Sequence, residues 1–148
     1  MNAQIVPDVV DQQTIFSLTP DAIVKDAAAM MAEKKVAAMM VVEDDKLIGI
    51  MTERDITVRL VAKGLNAAKT QVKDIMTPDP DCLQPSDDAK LALTMMRERG
   101  YRHLPVVDGE TVVGMVSIRD LYGLALDTLE SEVKHHEAFI FGESYGAA

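Results

Sequence analysis

Apolar and polar positions change their spacing in a regular order along the chain. Residues 22–34 carry apolar side chains three or four positions apart, which predicts an amphipathic helix. Two apolar runs follow, separated by Glu43-Asp44-Asp45-Lys46, and predict two strands joined by a turn. After Thr52 the spacing is helical again as far as Gly64, a residue typical of a helix C-terminus. The pattern predicts, in order, an extended stretch at 14–18, a helix at 22–34, strands at 37–42 and 47–51, and a helix at about 53–63.

The same order of elements occurs a second time. At an offset of 65 residues, without a gap, 12 of the 38 positions from Leu18 to Asp55 are identical in the two stretches. A period of this length indicates two copies of a small unit that pack on each other. The second copy is predicted to contain a strand at 81–84, a helix at 87–99 ending at Gly100, strands at 103–108 and 111–116, and a helix from about 118.

Three segments lie outside the two copies. The N-terminal arm is polar with scattered apolar residues, and we expect it to need a partner surface for order. The final helix carries its apolar stripe beyond the length its own copy needs, so we expect the surplus turns to cover another surface, such as a second chain. The aromatic residues of the tail are interpreted as docking residues. The boundaries are 1–13 for the arm, 14–64 for the first copy, 65–78 for the linker, 79–127 for the second copy, and 128–148 for the helix extension and tail with Phe139, Phe141 and Tyr145.

The composition excludes several classes of protein. With 148 residues, 48% of them hydrophobic, the chain can bury a core and fits one compact domain built from two halves. A net charge of −9 argues against partners such as nucleic acid or an anionic membrane, because both bind clustered Lys and Arg. No apolar run reaches the length of a membrane span, and the N-terminus lacks a basic segment followed by an apolar one. We therefore expect a cytoplasmic protein.

Cysteine and histidine offer little further chemistry. Cys82 is the only cysteine, so an intrachain disulfide is impossible and a reducing compartment is expected. We interpret it as a small packed residue rather than a nucleophile. His135 and His136 are adjacent, so on a helix they point to different sides and cannot share a metal ion. We expect no metal site.

The junction between each hairpin and the helix after it concentrates polar residues. Thr52 and Asp55 in the first copy correspond to Ser117 and Asp120 in the second. A carboxylate can accept both hydroxyls of a ribose, and a hydroxyl beside the free N–H groups of a helix start suits a phosphate. The same pairs also fit a helix capping box, which stabilises the helix by roughly 1 kcal/mol and binds no ligand. Both interpretations stay open for these residues.

Arg102 and His103 favour the binding interpretation. Two basic side chains directly before a buried strand are hard to explain as packing, and Ala37-Ala38 stands in their place in the first copy. Together with Arg54 and Arg119, they could donate charge-assisted hydrogen bonds to phosphate oxygens. The alternative is an exposed arginine beside a histidine whose hydrogen bonds are satisfied within the protein.

The duplicated strand-helix-strand-strand-helix unit resembles the CBS domain, the cystathionine beta-synthase domain. The resemblance rests on Leu104-Pro105-Val106-Val107-Asp108 before the turn and on Gly114-x-x-Ser117-x-x-Asp120 after it, and covers roughly residues 12–127. The first copy has Met39-Met40 in place of Leu104-Pro105 and departs further from the pattern. The implied fold class is α/β, with two tandem CBS motifs packed about a pseudo-twofold axis as one CBS-pair module. The chain is similar to stand-alone bacterial CBS-pair proteins.

The resemblance also implies a function and a site. A cleft between the copies would bind an adenine nucleotide or another adenosyl compound as a regulatory ligand, within a homodimer. Binding would change the geometry of the pair or dimer and signal to a protein partner. The main site is expected to use Thr19, Val24, Val36, Ala37, Arg102, His103, Ser117, Arg119 and Asp120. A weaker site, related by pseudo-symmetry and lacking the basic pair, would use Thr52, Arg54, Asp55, Gln84, Ala89 and Tyr101.

Two other classes of function remain as alternatives. An enzyme has little support, because the sequence contains no Gly-rich phosphate loop, His-Glu-x-x-His or Gly-x-Ser-x-Gly motif. A dimerisation and protein-interaction module with degenerate clefts would bind no nucleotide. We expect a sensor that is not an enzyme and requires no cofactor. AMP, ADP, ATP, NAD and S-adenosylmethionine stay open as its ligand, with AMP or another mononucleotide favoured because the chain is acidic.

Overall fold

A computed structural model describes residues 2–138 and contains both copies. Each copy has a hairpin flanked by two helices, and the linker between them has short elements of its own. The first copy contains β1 (Ser17–Leu18), α1 (Val24–Lys34), β2 (Ala38–Glu43), β3 (Lys46–Thr52) and α2 (Glu53–Asp55), which continues as a π-helical segment, Ile56–Val61. The linker contains α3 (Val72–Ile75) and β4 (Thr77–Pro78). The second copy contains α4 (Ala89–Arg99), β5 (His103–Asp108), β6 (Thr111–Ser117) and α5 (Ile118–Glu137). The arm contains a π-helical turn, Ile5–Val9.

The two hairpins repeat each other in detail. Asp44 and Asp45 have φ values of 50° and 62°, the left-handed conformation that a two-residue hairpin turn requires. Gly109, with a φ of 64°, lies in the second turn. The strand register shifts after Val41 in the first hairpin and after Val106, its counterpart, in the second. The duplication therefore extends to an irregularity of the backbone.

The sheets of the two copies differ at one edge. In the first copy β1 is parallel to β2, and β4 from the linker is antiparallel to β3. In the second copy a parallel bridge from Leu83 to Val106 corresponds to β1. Among the described residues, the edge of β6 has no strand that corresponds to β4. Instead, Oε1 of the Gln13 side chain accepts a hydrogen bond from the backbone N–H of Met115 at 2.7 Å.

Each copy has its own hydrophobic core, which is completed by the segment that precedes the other copy. Val72 and Ile75 of the linker are fully buried in the first core, whereas Ile5 and Val10 of the arm are buried in the second. Backbone hydrogen bonds repeat this exchange: Val72 donates to Ala22 (2.8 Å) and Val24 to Thr70 (2.9 Å), while Ile5 donates to Asp87 and Ala89 to Ala3 (both 2.8 Å). The surface that orders the arm is thus part of the same chain.

The exchange also explains why two helices begin later than their sequence pattern predicts. Ile23 and Asp88 have extended backbone conformations and form isolated bridges to Gln71 and Gln4. The helices therefore begin one residue after these bridges, at Val24 and Ala89, and not at 22 and 87.

Helix α5 exposes the C-terminal end of the apolar stripe predicted from its sequence, together with Leu126 beside it. Leu121 is completely buried in the second core, but Leu126, Leu129 and Val133 are each more than half exposed. The surface that covers this stripe stays a prediction, and Phe139, Phe141 and Tyr145 lie outside the described residues. Within residues 2–138, no helix combines the length and the apolar character needed to cross a bilayer.

The buried arm generates a test of the core exchange. We expect Ile5→Ala to lower the free energy of unfolding by about 2–4 kcal/mol, because it leaves a cavity in the second core. Ile15→Ala is the matched control, since Ile15 is 40% exposed, and it should change stability by no more than about 0.5 kcal/mol. Urea unfolding measures both values. Equal, small effects would show that the arm does not complete the core.

Candidate functional site

A cavity of about 700 Å³ lies between the two copies. Its size is within the range of small-molecule sites, roughly 300–1,000 Å³. Both copies and the arm contribute to its walls, so a bound molecule would touch both halves of the chain. The first copy contributes Ala28, Met31, Ala32, Lys35, Val36, Ala37, Ala38, Glu53 and Ile56, the second copy His103, Met115, Ser117, Arg119 and Asp120, and the arm Gln13.

The strand-to-helix junction of the second copy forms one wall of this cavity. Ser117 Oγ accepts from the backbone N–H of Asp120 at 3.2 Å, and Asp120 Oδ2 accepts from the N–H of Ser117 at 2.9 Å. The capping interpretation is therefore correct for these residues. It accounts for only one carboxylate oxygen, because Oδ1 of Asp120 accepts no hydrogen bond from any residue between 2 and 138. An exposed acceptor remains on the cavity wall.

The corresponding carboxylate of the first copy is fully engaged. Oδ2 of Asp55 accepts from the N–H (3.0 Å) and the hydroxyl (3.1 Å) of Thr52. Oδ1 accepts from the hydroxyl of Thr77 at 3.1 Å and lies 3.7 Å from Nε of Arg59. The Asp55 side chain is only 9% exposed. Two residues with the same place in the repeat thus differ: Asp55 stabilises the protein, and Asp120 retains a free acceptor.

His103 is the first residue of β5, pairs with Ser117 of β6, is half-buried and lines the cavity. Burial lowers the pKa of its imidazole, and the charge of Arg102 adds to this effect, while Asp120 and Glu53 oppose it. At neutral pH the side chain is therefore uncharged and can both donate and accept a hydrogen bond. The charges on the cavity wall balance, with Lys35 and Arg119 against Glu53 and Asp120.

The residues predicted for the main site fall into two groups. Those on the cavity wall are Val36, Ala37, His103, Ser117, Arg119 and Asp120. The others lie elsewhere: Thr19 is exposed before α1, Val24 is completely buried in the first core, and Arg102 is exposed beside the cavity without lining it.

The residues predicted for the weaker site do not meet in one cavity. Thr52 and Asp55 form the buried capping box, and Arg54 is exposed next to it. Gln84 lines a different cavity, and Ala89 is buried in the second core. Tyr101 donates its hydroxyl hydrogen to Asp81 at 2.8 Å, and burial together with this bond raises the pKa of Tyr101 to about 12.

Part of the cavity wall was not predicted from the sequence. Gln13, Lys35, Glu53 and Met115 all line it. Lys35 adopts the left-handed conformation that ends α1, with a φ of 57°, and adds a cation to the part of the wall that the first copy contributes. Glu53 and Ile56, which also lines the cavity, could have been predicted, because they are sequence neighbours of the capping box of Thr52 and Asp55. Gln13 carried no signal, because only the folding of the arm onto the second copy brings it there.

A second cavity, of about 520 Å³, lies between the tips of the two hairpins. Lys46 and Glu110 approach to 3.8 Å across the tips, and both are exposed. Cys82 lines this cavity and donates its thiol hydrogen to the carbonyl of Pro80 at 3.3 Å. Partial burial raises the pKa of the Cys82 thiol, with a smaller effect from Asp81, so the thiol stays protonated at neutral pH. A protonated thiol is a poor nucleophile.

In the part of the chain from residue 2 to 138, no three or more histidine, cysteine, aspartate or glutamate side chains lie close enough together to hold a metal ion.

Fold and cleft together define a class of protein: two hairpin-and-helix units in tandem, with a ligand-sized cavity between them. The chain belongs to the CBS domain family, whose model matches residues 6–62 and 72–127. The family and fold class predicted from the sequence are thereby confirmed. Members of this kind occur as regulatory modules, alone or within longer proteins.

The chain is similar in sequence and in structure to known CBS-domain proteins. Over 129 residues the chain is 33% identical to CBSX3, a mitochondrial CBS domain-containing protein of Arabidopsis thaliana. The aligned residues make up 84% of this chain and 63% of that protein. Its structure matches that of the CBS-domain containing protein ATU1752 from Agrobacterium tumefaciens with 26% identity and a TM-score of 0.74, over 80% of this chain and 96% of that one. It also matches CBSX2 in complex with AMP, with 27% identity and a TM-score of 0.66, over 77% and 89% of the two chains.

Asp55 accepts more hydrogen bonds than Asp120, so we expect its loss to destabilise the folded chain more. Asp120→Ala should lower the free energy of unfolding by about 1 kcal/mol, because it removes one capping hydrogen bond from an exposed helix start. Asp55→Ala should cost about 2–3 kcal/mol, since it also leaves the hydroxyl of Thr77 without its partner beside a position where the carboxylate is buried. The two alanine variants are each other's control in urea unfolding. Equal losses would mean that the contact with Thr77 contributes nothing.

The lowered pKa of His103 generates a prediction about pH. Because the folded chain binds this proton less readily than the unfolded chain, His103 contributes full stability above its ordinary value of 6.5. That contribution is lost as the pH falls below this value towards the pKa of the folded state. The melting temperature of the wild type should therefore fall more than that of His103→Gln between about pH 7.5 and 5.5. Parallel curves would contradict the burial of a neutral imidazole.

Proposed function

We propose that the cavity between the copies binds an adenine nucleotide or a related adenosyl compound as a regulatory ligand. The observation that carries the proposal is the free Oδ1 of Asp120 on the cavity wall. Its counterpart Asp55 shows how such a carboxylate is saturated when it has only a structural role. We infer one main site per chain, in the second-copy junction.

The polar groups of the cavity suit a nucleotide. A carboxylate oxygen with a free lone pair can accept from a ribose hydroxyl, and a neighbouring oxygen can accept from the second hydroxyl of the diol. The side chains of Lys35 and Arg119 can donate charge-assisted hydrogen bonds to phosphate oxygens, with the Ser117 hydroxyl between the helix start and the cavity. Since Glu53 and Asp120 offset these two cations, the site favours a mononucleotide over ligands that carry several phosphates.

The apolar part of the wall suits a purine ring. Met31, Val36 and Ile56 line the cavity from the first copy, opposite the polar junction. An aliphatic surface of this kind can cover both faces of a flat base and exclude water from it. The complex of CBSX2 with AMP supports this class of ligand, because that protein has the same fold.

We infer a regulatory mechanism rather than catalysis. A ligand that contacts both copies binds one relative packing of them better than another, and it can shift the equilibrium only through that difference in affinity. We further propose that the chain acts as a homodimer in the cytoplasm and that a protein partner detects the change. The exposed stripe of Leu126, Leu129 and Val133 on α5 supports a second chain or a partner at that surface.

A thermal-shift titration against AMP, ADP, ATP, NAD and S-adenosylmethionine tests the proposal. A compound that binds only the folded chain should stabilise it by about 2.7 kcal/mol at 100 times its dissociation constant. Asp120→Asn should abolish most of that shift, because an amide can keep the capping bond but offers a donor in place of Oδ1. Asp127→Asn, an equal change of charge on the same helix outside the cavity wall, should leave it intact.

A second pair of variants tests the cavity itself. Ala28→Leu places a larger side chain in the cavity and should reduce the ligand-induced shift, whereas Ala29→Leu, on the exposed side of α1, should not. If no compound shifts the melting temperature, the clefts bind no nucleotide. The chain is then the alternative predicted from sequence, a dimerisation and protein-interaction module.

A further inference from the structure

The N-terminal arm places one side chain in the nucleotide cavity. Gln13 lines the cavity, although it precedes both copies. Its position is fixed by contacts of the arm with the second copy, in which Ile5 and Val10 are buried. Gly114 lets the amide approach this closely, since a Cβ at that position would lie 2.8 Å from Oε1 of Gln13.

The orientation of the Gln13 amide follows from its partner. The backbone N–H of Met115 can only donate, so the atom facing it at 2.7 Å must be the amide oxygen. The NH₂ group of Gln13 therefore makes no hydrogen bond within residues 2–138 and is left as a donor on a side chain that lines the cavity. In the first copy Ile50, the counterpart of Met115, pairs with Thr77, whose hydroxyl donates to Oδ1 of Asp55 at 3.1 Å and is therefore already used within the protein.

The distance along β6 decides which part of a nucleotide Gln13 would meet. Met115 and Ser117 are two residues apart and face the same side of the strand, which separates them by about 6.6 Å. If Asp120, at the Ser117 end, accepts the ribose hydroxyls, then Gln13 lies toward the edge of the base that is far from the sugar. In adenine that edge carries the acceptor N1. In hypoxanthine it carries an N–H donor instead.

We propose that Gln13 is a specificity-determining residue that donates its amide hydrogen to N1 of a bound adenine and disfavours bases with a donor at N1. This inference rests on the proposed function, because it assumes a nucleotide in the cavity with its ribose at Asp120. It assigns the arm a direct part in ligand recognition. The structural alternative is that Gln13 only satisfies the edge N–H of Met115.

Isothermal titration with AMP and IMP tests the assignment. The wild type should bind AMP more tightly than IMP, since a donor facing a donor leaves two polar groups unpaired. Gln13→Glu keeps an acceptor for Met115 but has no donor, so it should lower the ratio of AMP to IMP affinity at least about fivefold. Gln13→Ala should also lower this ratio. Gln12→Glu adds the same charge at the preceding exposed residue, which does not line the cavity, and should leave the ratio unchanged.

The outcomes separate the two proposals. A wild type that binds AMP, with an AMP to IMP ratio that Gln13→Glu and Gln13→Ala leave unchanged, overturns the role of Gln13 alone. A wild type that binds neither nucleotide overturns the proposed function and the role of Gln13 with it. Melting curves of the unliganded variants check that each remains folded.

Discussion

A capping box holds the carboxylate at the third residue of a helix in each half of the chain. This interaction fixes Asp55 and Asp120 relative to the hairpin before them, and it uses one oxygen of each. What happens to the second oxygen distinguishes the two halves. Thr77 and Arg59 surround the oxygen of Asp55, whereas that of Asp120 faces a cavity. Helix capping and ligand binding are therefore compatible functions of one carboxylate, provided that the cap leaves an oxygen free.

The exchange of segments between the copies explains this asymmetry. Each core needs a segment from outside its own copy, and the linker and the arm fulfil that need with different sequences. The linker adds β4 to the first sheet and thereby brings Thr77 onto Asp55. Beside β6 the arm places no strand but the side chain of Gln13, which accepts a hydrogen bond from Met115. Two nearly identical junctions thus acquire different chemistry because different neighbours lie beside them.

The sequence predicted the elements within each copy well, because local signals determine them. Both hairpins and the helices α1 and α4 were predicted to within two residues from the repeat offset, the polar turns and Gly100. Long-range pairing was beyond such signals: α3 and β4 formed inside a predicted linker, and Ile23 and Asp88 stayed extended because of bridges to distant residues. For the same reason Val24 and Ala89, predicted as site residues, lie in the cores, while Gln13 was not predicted.

A crystal structure of the chain grown with AMP tests the central claim most directly. The account predicts one nucleotide per chain, in the cavity between α1 and the start of α5, with a ribose hydroxyl on Oδ1 of Asp120 and no nucleotide at Asp55. A nucleotide bound at Asp55 after displacement of Thr77, or one that leaves Oδ1 of Asp120 without a partner, would contradict it.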